Sequence, residues 1–208
     1  MSRREIAQEL ECSFNASGET VVSGDSLEAI FNNCCDPTHR AGFDRNYWIW
    51  EEPQLGEEYL CVGDVARGDG KDYSTVHIIK TSTMEQVAEY QGKLTGDMFA
   101  PLITEIAREY NNALLVIENN KDYGVLSRIE DLEYDNLYYS LKTSHEYIDQ
   151  LTAQVKNGVA GFTMSMKTRP LVVAKLEEFI RNNILTINSV RTASELKTFI
   201  WHNGKAQA

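Results

Sequence analysis

The sequence has no long apolar run and few cysteines, and each shortage excludes a class of protein. No stretch of about 18 consecutive apolar residues occurs, so we expect no membrane-spanning helix. The N-terminal residues 1–14 are charged and lack the apolar core of a signal peptide. The 4 cysteines form no CxxC pair and no disulfide-dense pattern, which predicts reduced thiols in a cytoplasm and argues against a zinc site.

Cations are also scarce. The chain has 20 lysines and arginines against 31 acidic residues, a formal net charge of −11. This balance is typical of an acidic cytoplasmic protein and provides no overall attraction to nucleic acid. It does not exclude a nucleic-acid enzyme, because a site that holds phosphates through metal ions needs carboxylates, and an acidic remainder can hide a local basic rim.

Length and patterning predict one main domain preceded by a less regular segment. Residues 1–56 contain turn formers, breakers such as Pro37 and Pro53, and few periodic elements, which predicts an irregular linker or the tail of a preceding domain. Residues 57–208 carry regular strand and helix patterns. Together the 208 residues are enough for one well-packed core and a small appendage.

The main segment predicts an α/β fold in which a mixed sheet is flanked by helices. The first three strands follow one another closely, as in an antiparallel meander. Asp97 is expected to cap the first helix, and the apolar run after it is typical of a parallel strand buried on both faces. A capping box formed by Thr192 and Glu195 is expected to open the last helix. The predicted elements are strands at 58–65, 75–80 and 86–92, a helix at 97–110, a strand at 113–118, a helix at 123–132, a strand at 136–141, a helix at 170–181 and a strand at 184–189.

Two carboxylates stand at strand ends: Asp64 closes "LCVGD" and Glu118 closes "LLVIE". A charge at such a position is costly unless something pairs with it. If the two strands are neighbours, the carboxylates emerge side by side and repel each other unless a cation lies between them. Oxygen ligands of this kind suit Mg²⁺ or Mn²⁺. The structural alternative is an Asp that caps the next turn and a Glu that pairs with a Lys or Arg.

The loop after the first strand, "GDVARGDGKDYS", is glycine-rich but lacks the GxxxxGK[ST] spacing of a phosphate-binding loop, and it leads to a strand rather than a helix. It also fails the EF-hand pattern, because Ala66 and Gly68 occupy ligand positions. We therefore expect a tight turn that carries Asp69, Lys71 and Asp72 near the metal site.

Candidate phosphate contacts are cations beside this turn and around the sequence "NGVAGF". Phosphate binding without base specificity requires Lys or Arg on flexible or protruding elements, although ordinary solvated surface charge is the competing interpretation. Nucleophilic catalysis is not indicated, because the 4 histidines are scattered and none pairs with a Ser or Cys signature. The predicted DNA-binding residues are Arg67, Lys71, Lys156, Lys167 and Arg169.

Three stretches, "YLCVGDVARGDGKDYSTVHII", "LLVIENNKDYGVLSRI" and "ELKTFIWHNGKAQA", resemble the nuclease domain of the large terminase subunit of tailed bacteriophages, of the T-even-like type. The resemblance runs from about Trp48 to Ala208. Residues 1–47 faintly resemble the end of the packaging ATPase domain and its linker. The resemblance implies an RNase H-like fold and a metal-dependent endonuclease that cuts concatemeric viral DNA in the host cytoplasm.

The resemblance also implies roles for single residues. Asp64 and Glu118 match the family's metal ligands, and Asp72, Asn120 and Gly124 are expected to surround them. Gly124 would allow close packing at a helix start. The family's third carboxylate lies in an Asp-Asp motif just after a stretch like "HNGKAQA". We therefore expect a nuclease fragment clipped before that motif, which binds metal weakly and cuts slowly or not at all.

The carboxylate pair and the resemblance together predict two-metal phosphodiester hydrolysis, in which Asp64 bridges two ions and Glu118 holds one. The implied partners are double-stranded DNA, the terminase ATPase domain, whose Walker motifs this chain lacks, the small terminase subunit and the portal. No membrane partner is implied. Two alternatives stay open: another RNase H-like nuclease such as a junction resolvase, and a non-catalytic docking module for the motor or portal.

Overall fold

The computed structural model describes residues 20–66, 72–121, 124–141 and 158–207. These residues belong to two compact units. The first, here called the sheet unit, comprises the described parts of 37–82 and 87–164. The second unit comprises the described parts of 1–36, 83–86 and 165–208. None of the helices in the described ranges combines the length and apolar composition that a bilayer span requires.

The described chain begins with a helix and five consecutive strands, and helices and strands are mixed after them. In order they are α1 (Gly24–Asn33), β1 (His39–Ala41), β2 (Tyr47–Ile49), β3 (Tyr59–Asp64), β4 (Ser74–Lys80), β5 (Glu85–Gly92), α2 (Gly96–Glu109), β6 (Leu114–Ile117), α3 (Val125–Asp131), β7 (Tyr139–Leu141), β8 (Gly158–Ala160), α4 (Thr168–Arg181), α5 (Val190–Thr198), β9 (Ile200–His202) and β10 (Lys205–Gln207).

Six strands form one mixed sheet in the order β1-β2-β5-β4-β3-β6. The predicted neighbours β3, β4 and β5 are consecutive, and β3 pairs with β4 antiparallel. On its other side β3 pairs with β6 in parallel. The mixed sheet with its helices confirms the predicted α/β class. Residues 24–49, which the sequence patterns left without regular elements, supply α1 and two strands of this sheet.

The core of the sheet unit includes the contact of α2 with the adjacent strands β3 and β6. Phe99 and Ile103 of α2 are fully buried with Cys61 of β3 and Ile117 of β6. Gly63 allows this close approach, because an ideal Cβ there would lie 2.8 Å from Ile117 Cδ1. Burying one such apolar side chain contributes roughly 1.5–3 kcal/mol, so this packing fixes where β3 and β6 end.

The start of α2 differs from the prediction. Its N-cap is Thr95, whose backbone is still extended (φ −72°, ψ 157°), and Asp97 lies inside the first turn. A hydrogen bond from the Thr95 side chain lowers the pKa of Asp97. A carboxylate in the first turn also interacts favourably with the helix dipole. The N-cap prediction for Asp97 was therefore wrong by two residues.

The strand predicted at 184–189 is also wrong. Thr186 makes only an isolated bridge to Glu85. The polar groups of the following residues make other hydrogen bonds, which do not belong to a strand ladder. Asn188 Nδ2 donates to the Gln86 carbonyl at 2.7 Å. The side chain of Ser189 accepts from the amide nitrogen of Thr192 at 3.4 Å and caps α5, so Thr192 is not the N-cap.

Two further predictions need correction. In β6 only alternate side chains are fully buried: Leu115 and Ile117 are, whereas Leu114 and Val116 are half-buried. The strand predicted at 136–141 is confirmed only as β7, which pairs with β8 in a separate two-stranded sheet. A second such ribbon, β9 with β10, lies in the stretch "IWHNGKAQ", where the sequence predicted no strand.

The second unit has its own apolar core. Residues of α1, α4 and α5 bury their apolar faces against one another, and the described members of the cluster are Val22, Leu27, Ile30, Ile180, Ile187, Ala193 and Leu196. The buried side chain of Gln86 links two parts of this unit. Its oxygen accepts hydrogen bonds from the backbone nitrogens of Asn188 and Ser189 at 3.1 and 3.0 Å.

The buried position of Cys61, on a strand that is paired on both sides, predicts the reactivity of its thiol. Cys61 is 0% exposed, and burial raises the pKa of its thiol, so the native protein should protect it from iodoacetamide while exposed Cys35 reacts. Mass spectrometry of peptides from the native and urea-unfolded protein measures both rates. Modification of Cys61 in the native protein as fast as that of Cys35 would contradict the burial of Cys61 in β3.

Candidate active site

The parallel pairing of β3 with β6 brings two strand ends together. Gly63 and Ile117 are register partners, and Asp64 and Glu118 are the next residues on their chains. Because side chains alternate between the faces of a sheet, these two carboxylates share the face of Val62 and Val116. Asp64 is exposed and Glu118 is half-buried. The predicted adjacency of the two strands is confirmed.

The chain just beyond Asp64 is fixed at both ends of the glycine-rich turn. The amide nitrogen of Ala66 donates to Ser74 Oγ at 3.1 Å, and Ser74 is fully buried at the start of β4. Asp72 lies exposed immediately before β4. The hydrogen bond from Ala66 to Ser74 links the residue two positions after Asp64 to the start of β4. Arg67 and Lys71 lie outside the described residues.

The Glu118 carboxylate is oriented by a neighbouring amide. Residues Asn119–Lys121 form a short 3₁₀ turn directly after β6. Within it, Asn120 Nδ2 donates to Glu118 Oε1 at 3.2 Å and also donates to the carbonyl of Met164. Both hydrogens of the Asn120 amide are thus used, and one of them holds a carboxylate oxygen in a set direction.

A second segment, Ala160–Met164, lies along the end of β6. Phe162 N donates to the Ile117 carbonyl at 2.7 Å, and Asn119 N donates to the Phe162 carbonyl at 3.0 Å. Glu118 and Phe162 form a parallel bridge between these two bonds. The backbone that carries Glu118 is therefore held by β3 on one side and by this segment on the other.

The structure changes the reason given for Gly124. It is the N-cap residue of α3 with φ +80°, and a Cβ there would meet no described heavy atom within 4 Å. The glycine is needed for its left-handed backbone conformation. The predicted close packing at this helix start was wrong.

The remaining predicted cations lie in the second unit or outside the described residues. Lys167 is the N-cap residue of α4 in the second unit, and Arg169 Nη2 donates to the Ala206 carbonyl at 3.0 Å within that unit. Lys156 lies outside the described residues. A role for these three residues in DNA binding stays a prediction.

Two carboxylates with a supporting amide fit a hard divalent cation, which prefers oxygen ligands. They do not complete a site by themselves. Within the described ranges, no group of three or more His, Cys, Asp or Glu side chains is placed to hold a metal ion. Water can fill coordination positions that the two carboxylates leave open.

The sequence patterns missed the segment Ala160–Met164 as part of this site. Its signal in the sequence is weak: Gly161 gives no indication of which strand it will approach. The tandem amides of Asn119 and Asn120 after Glu118 were a better signal, because two short amides at a strand end favour local polar contacts over continued pairing.

The fold is similar to that of solved phage nucleases. The large terminase nuclease of thermophilic phage G20c with bound magnesium matches with a TM-score of 0.65 and 13% identity, over 89% of this chain and 83% of that chain. The same nuclease with bound cobalt matches with a TM-score of 0.64 and 13% identity over the same shares. The large terminase nuclease domain of Thermus phage P74-26 matches with a TM-score of 0.59 and 12% identity, over 85% and 79%.

No protein-family model and no curated protein sequence matches the chain. Since the identities to the solved nucleases are 12–13%, these likenesses establish the fold alone. The chain has the fold of these solved large terminase nuclease domains. Asp64 ends β3, and Glu118 directly follows the adjacent parallel strand β6.

Gly161 supplies a test of the segment beside Glu118. It has φ +77°, and an ideal Cβ there would lie 2.6 Å from the Ile117 carbonyl oxygen. Gly161→Ala should lower the free energy of unfolding by about 2–4 kcal/mol, because left-handed strain adds to overpacking. The matched control is Gly56→Ala, where φ is +85° but no described heavy atom lies within 4 Å, so only the strain of about 1–2 kcal/mol applies. Equal losses in urea denaturation would contradict the close approach.

Proposed function

We propose that this chain is the nuclease domain of a large terminase subunit of the T-even-like type, a metal-dependent endonuclease that cuts concatemeric double-stranded DNA during packaging. The observation that carries the proposal is the side-by-side placement of Asp64 and Glu118 on adjacent parallel strands, within a fold shared with large terminase nucleases. The sequence resemblance around both carboxylates supports the same assignment.

Asp64 and Glu118 are the residues that would hold the two Mg²⁺ or Mn²⁺ ions. Divalent ions bound there would lower the pKa of a water molecule and stabilise charge on the leaving oxygen of a phosphodiester. The G20c nuclease, which has been solved with bound magnesium and with bound cobalt, supports divalent metal use. Asn120, by its bond to Glu118 Oε1, keeps one ligand oriented, and exposed Asp72 contributes charge near the same edge of the sheet.

DNA binding by this domain alone is expected to be weak and independent of sequence. The net charge of −11 opposes a polyanion, and the proposed cationic contacts recognise phosphates rather than bases. Control of cleavage would then come from the packaging ATPase domain, to which residues 1–56 would connect, together with the small terminase subunit and the portal in the host cytoplasm. The proposed phosphate contacts are Arg67, Lys71, Lys156, Lys167 and Arg169.

The role of Asp64 predicts a loss of activity. Asp64→Asn should reduce Mn²⁺-dependent nicking of supercoiled plasmid by more than about 100-fold, because removing a ligand costs more than the 10–100-fold typical of outer-shell changes. Nicking is measured on agarose gels. The matched control is Asp131→Asn, which removes the same charge from an exposed side chain of α3.

Undiminished nicking by Asp64→Asn would refute the proposed role. Two other outcomes point to the alternatives. Preferential cutting of branched over linear DNA indicates a resolvase-like nuclease, and calorimetry that detects no Mn²⁺ binding indicates a docking module.

A further inference from the structure

The two asparagines after β6 use their amides in different ways. Asn119 Nδ2 donates to the Ala160 carbonyl at 3.0 Å and to Thr163 Oγ1 at 2.9 Å. Asn120 Nδ2 donates to Glu118 Oε1 and to the Met164 carbonyl. An asparagine amide has two hydrogens, so all four are committed. Three of them hold the segment Ala160–Met164, and one holds the carboxylate.

The backbone bonds repeat this arrangement. Phe162 N donates to the Ile117 carbonyl and Asn119 N donates to the Phe162 carbonyl, which places Glu118 between the two bonds. Gly161 N in turn donates to the Tyr138 carbonyl at 2.7 Å, and Ser140 Oγ donates to the Gly161 carbonyl at 2.6 Å. The segment therefore has hydrogen bonds to Tyr138 and to Ser140 of β7 in addition to its bonds with the end of β6.

We propose that the segment Ala160–Met164 is a clamp that positions the metal ligand Glu118, and that Asn119 is the positioning residue that closes it. This inference rests on the proposed function, since it assumes that Glu118 binds metal. Asn119 does not touch the carboxylate. It acts through the clamp. The Asn120 side-chain amide donates one hydrogen bond to the Met164 carbonyl of the clamp and the other to Glu118.

The clamp fixes the orientation of the Glu118 carboxylate, which the metal site needs and which strand pairing alone does not provide. Glu118 lies one residue beyond the last β6 register pair, Gly63 with Ile117. Pairing with β3 therefore decides the face of the sheet on which its side chain lies, but it ends before the residue itself. Groups that orient metal ligands typically contribute 10–100-fold to metal affinity. If the clamp opens, the Glu118 backbone and its amide partner are both released, and the two carboxylates no longer present a fixed set of oxygens.

The test compares Asn119→Ala with Asn111→Ala in the 208-residue chain. Asn111 is a matched control in the sheet unit: its Nδ2 also donates two bonds, to the Gln54 and Glu57 carbonyls at 2.7 and 3.0 Å, but it precedes β6 and lies away from the Glu118 end. Its φ of +55° makes alanine there additionally strained, so the control should lower Tm at least as much. Asn119→Asp, which keeps the side-chain volume and removes both donors, replaces Asn119→Ala if that variant does not fold.

Two readouts separate the clamp from the metal site. Hydrogen exchange of the Phe162 and Asn119 amides should accelerate at least about tenfold in Asn119→Ala and not in Asn111→Ala. Mn²⁺ affinity, measured by electron paramagnetic resonance without DNA, should fall by about 10–100-fold in Asn119→Ala and remain unchanged in the control.

Each outcome has a definite meaning. Unchanged exchange in Asn119→Ala overturns the clamp, and unchanged Mn²⁺ affinity overturns its role in positioning Glu118 while leaving the proposed nuclease intact. If the unaltered chain binds no Mn²⁺ but the exchange rates change as expected, the metal site fails together with the positioning role, and Asn119 has only a structural one.

Discussion

The in-register parallel pairing of β3 with β6 is the constraint on which the candidate site depends. Gly63 lies opposite Ile117, and the residue after each carries a carboxylate on the same face of the sheet. A slip of one residue in this register would send Asp64 and Glu118 to opposite faces. The register is set by burial, because Cys61 and Ile117 must face the apolar side of α2, and the position of the acidic pair follows from the packing of the core.

The same arrangement carries an electrostatic cost that the surroundings moderate. Two carboxylates at one sheet edge repel each other, and neither belongs to a salt bridge among the described ion pairs. The chain around them is fixed by neutral hydrogen bonds instead: Ser74 holds the backbone after Asp64, and Asn120 holds Glu118. Rigid strand ends with polar support are the arrangement in which ligand side chains are held most accurately, which is consistent with the proposed metal site.

Much of the fold and of the acidic pair could be predicted because local patterns suffice for them. Alternating and continuous apolar runs located β3, β4 and β6, and the same runs showed where Asp64 and Glu118 would emerge. The segment Ala160–Met164 could not be predicted, since its contacts with β6 join residues about 40 positions apart and its turn depends on Gly161 having φ +77°. The strand predicted at 184–189 was wrong for another reason. Its apolar residues alternate as in a strand, but its polar groups make hydrogen bonds to Gln86.

The central claim is that Asp64 and Glu118 jointly hold divalent metal, and anomalous diffraction from crystals soaked in Mn²⁺ tests it most directly. The account predicts an anomalous peak between the two carboxylates, with an oxygen of each within about 2.0–2.6 Å of the ion, as for other hard divalent cations. A Mn²⁺ peak elsewhere in the molecule with none at this pair, or carboxylates that point to opposite faces of the sheet, would contradict it.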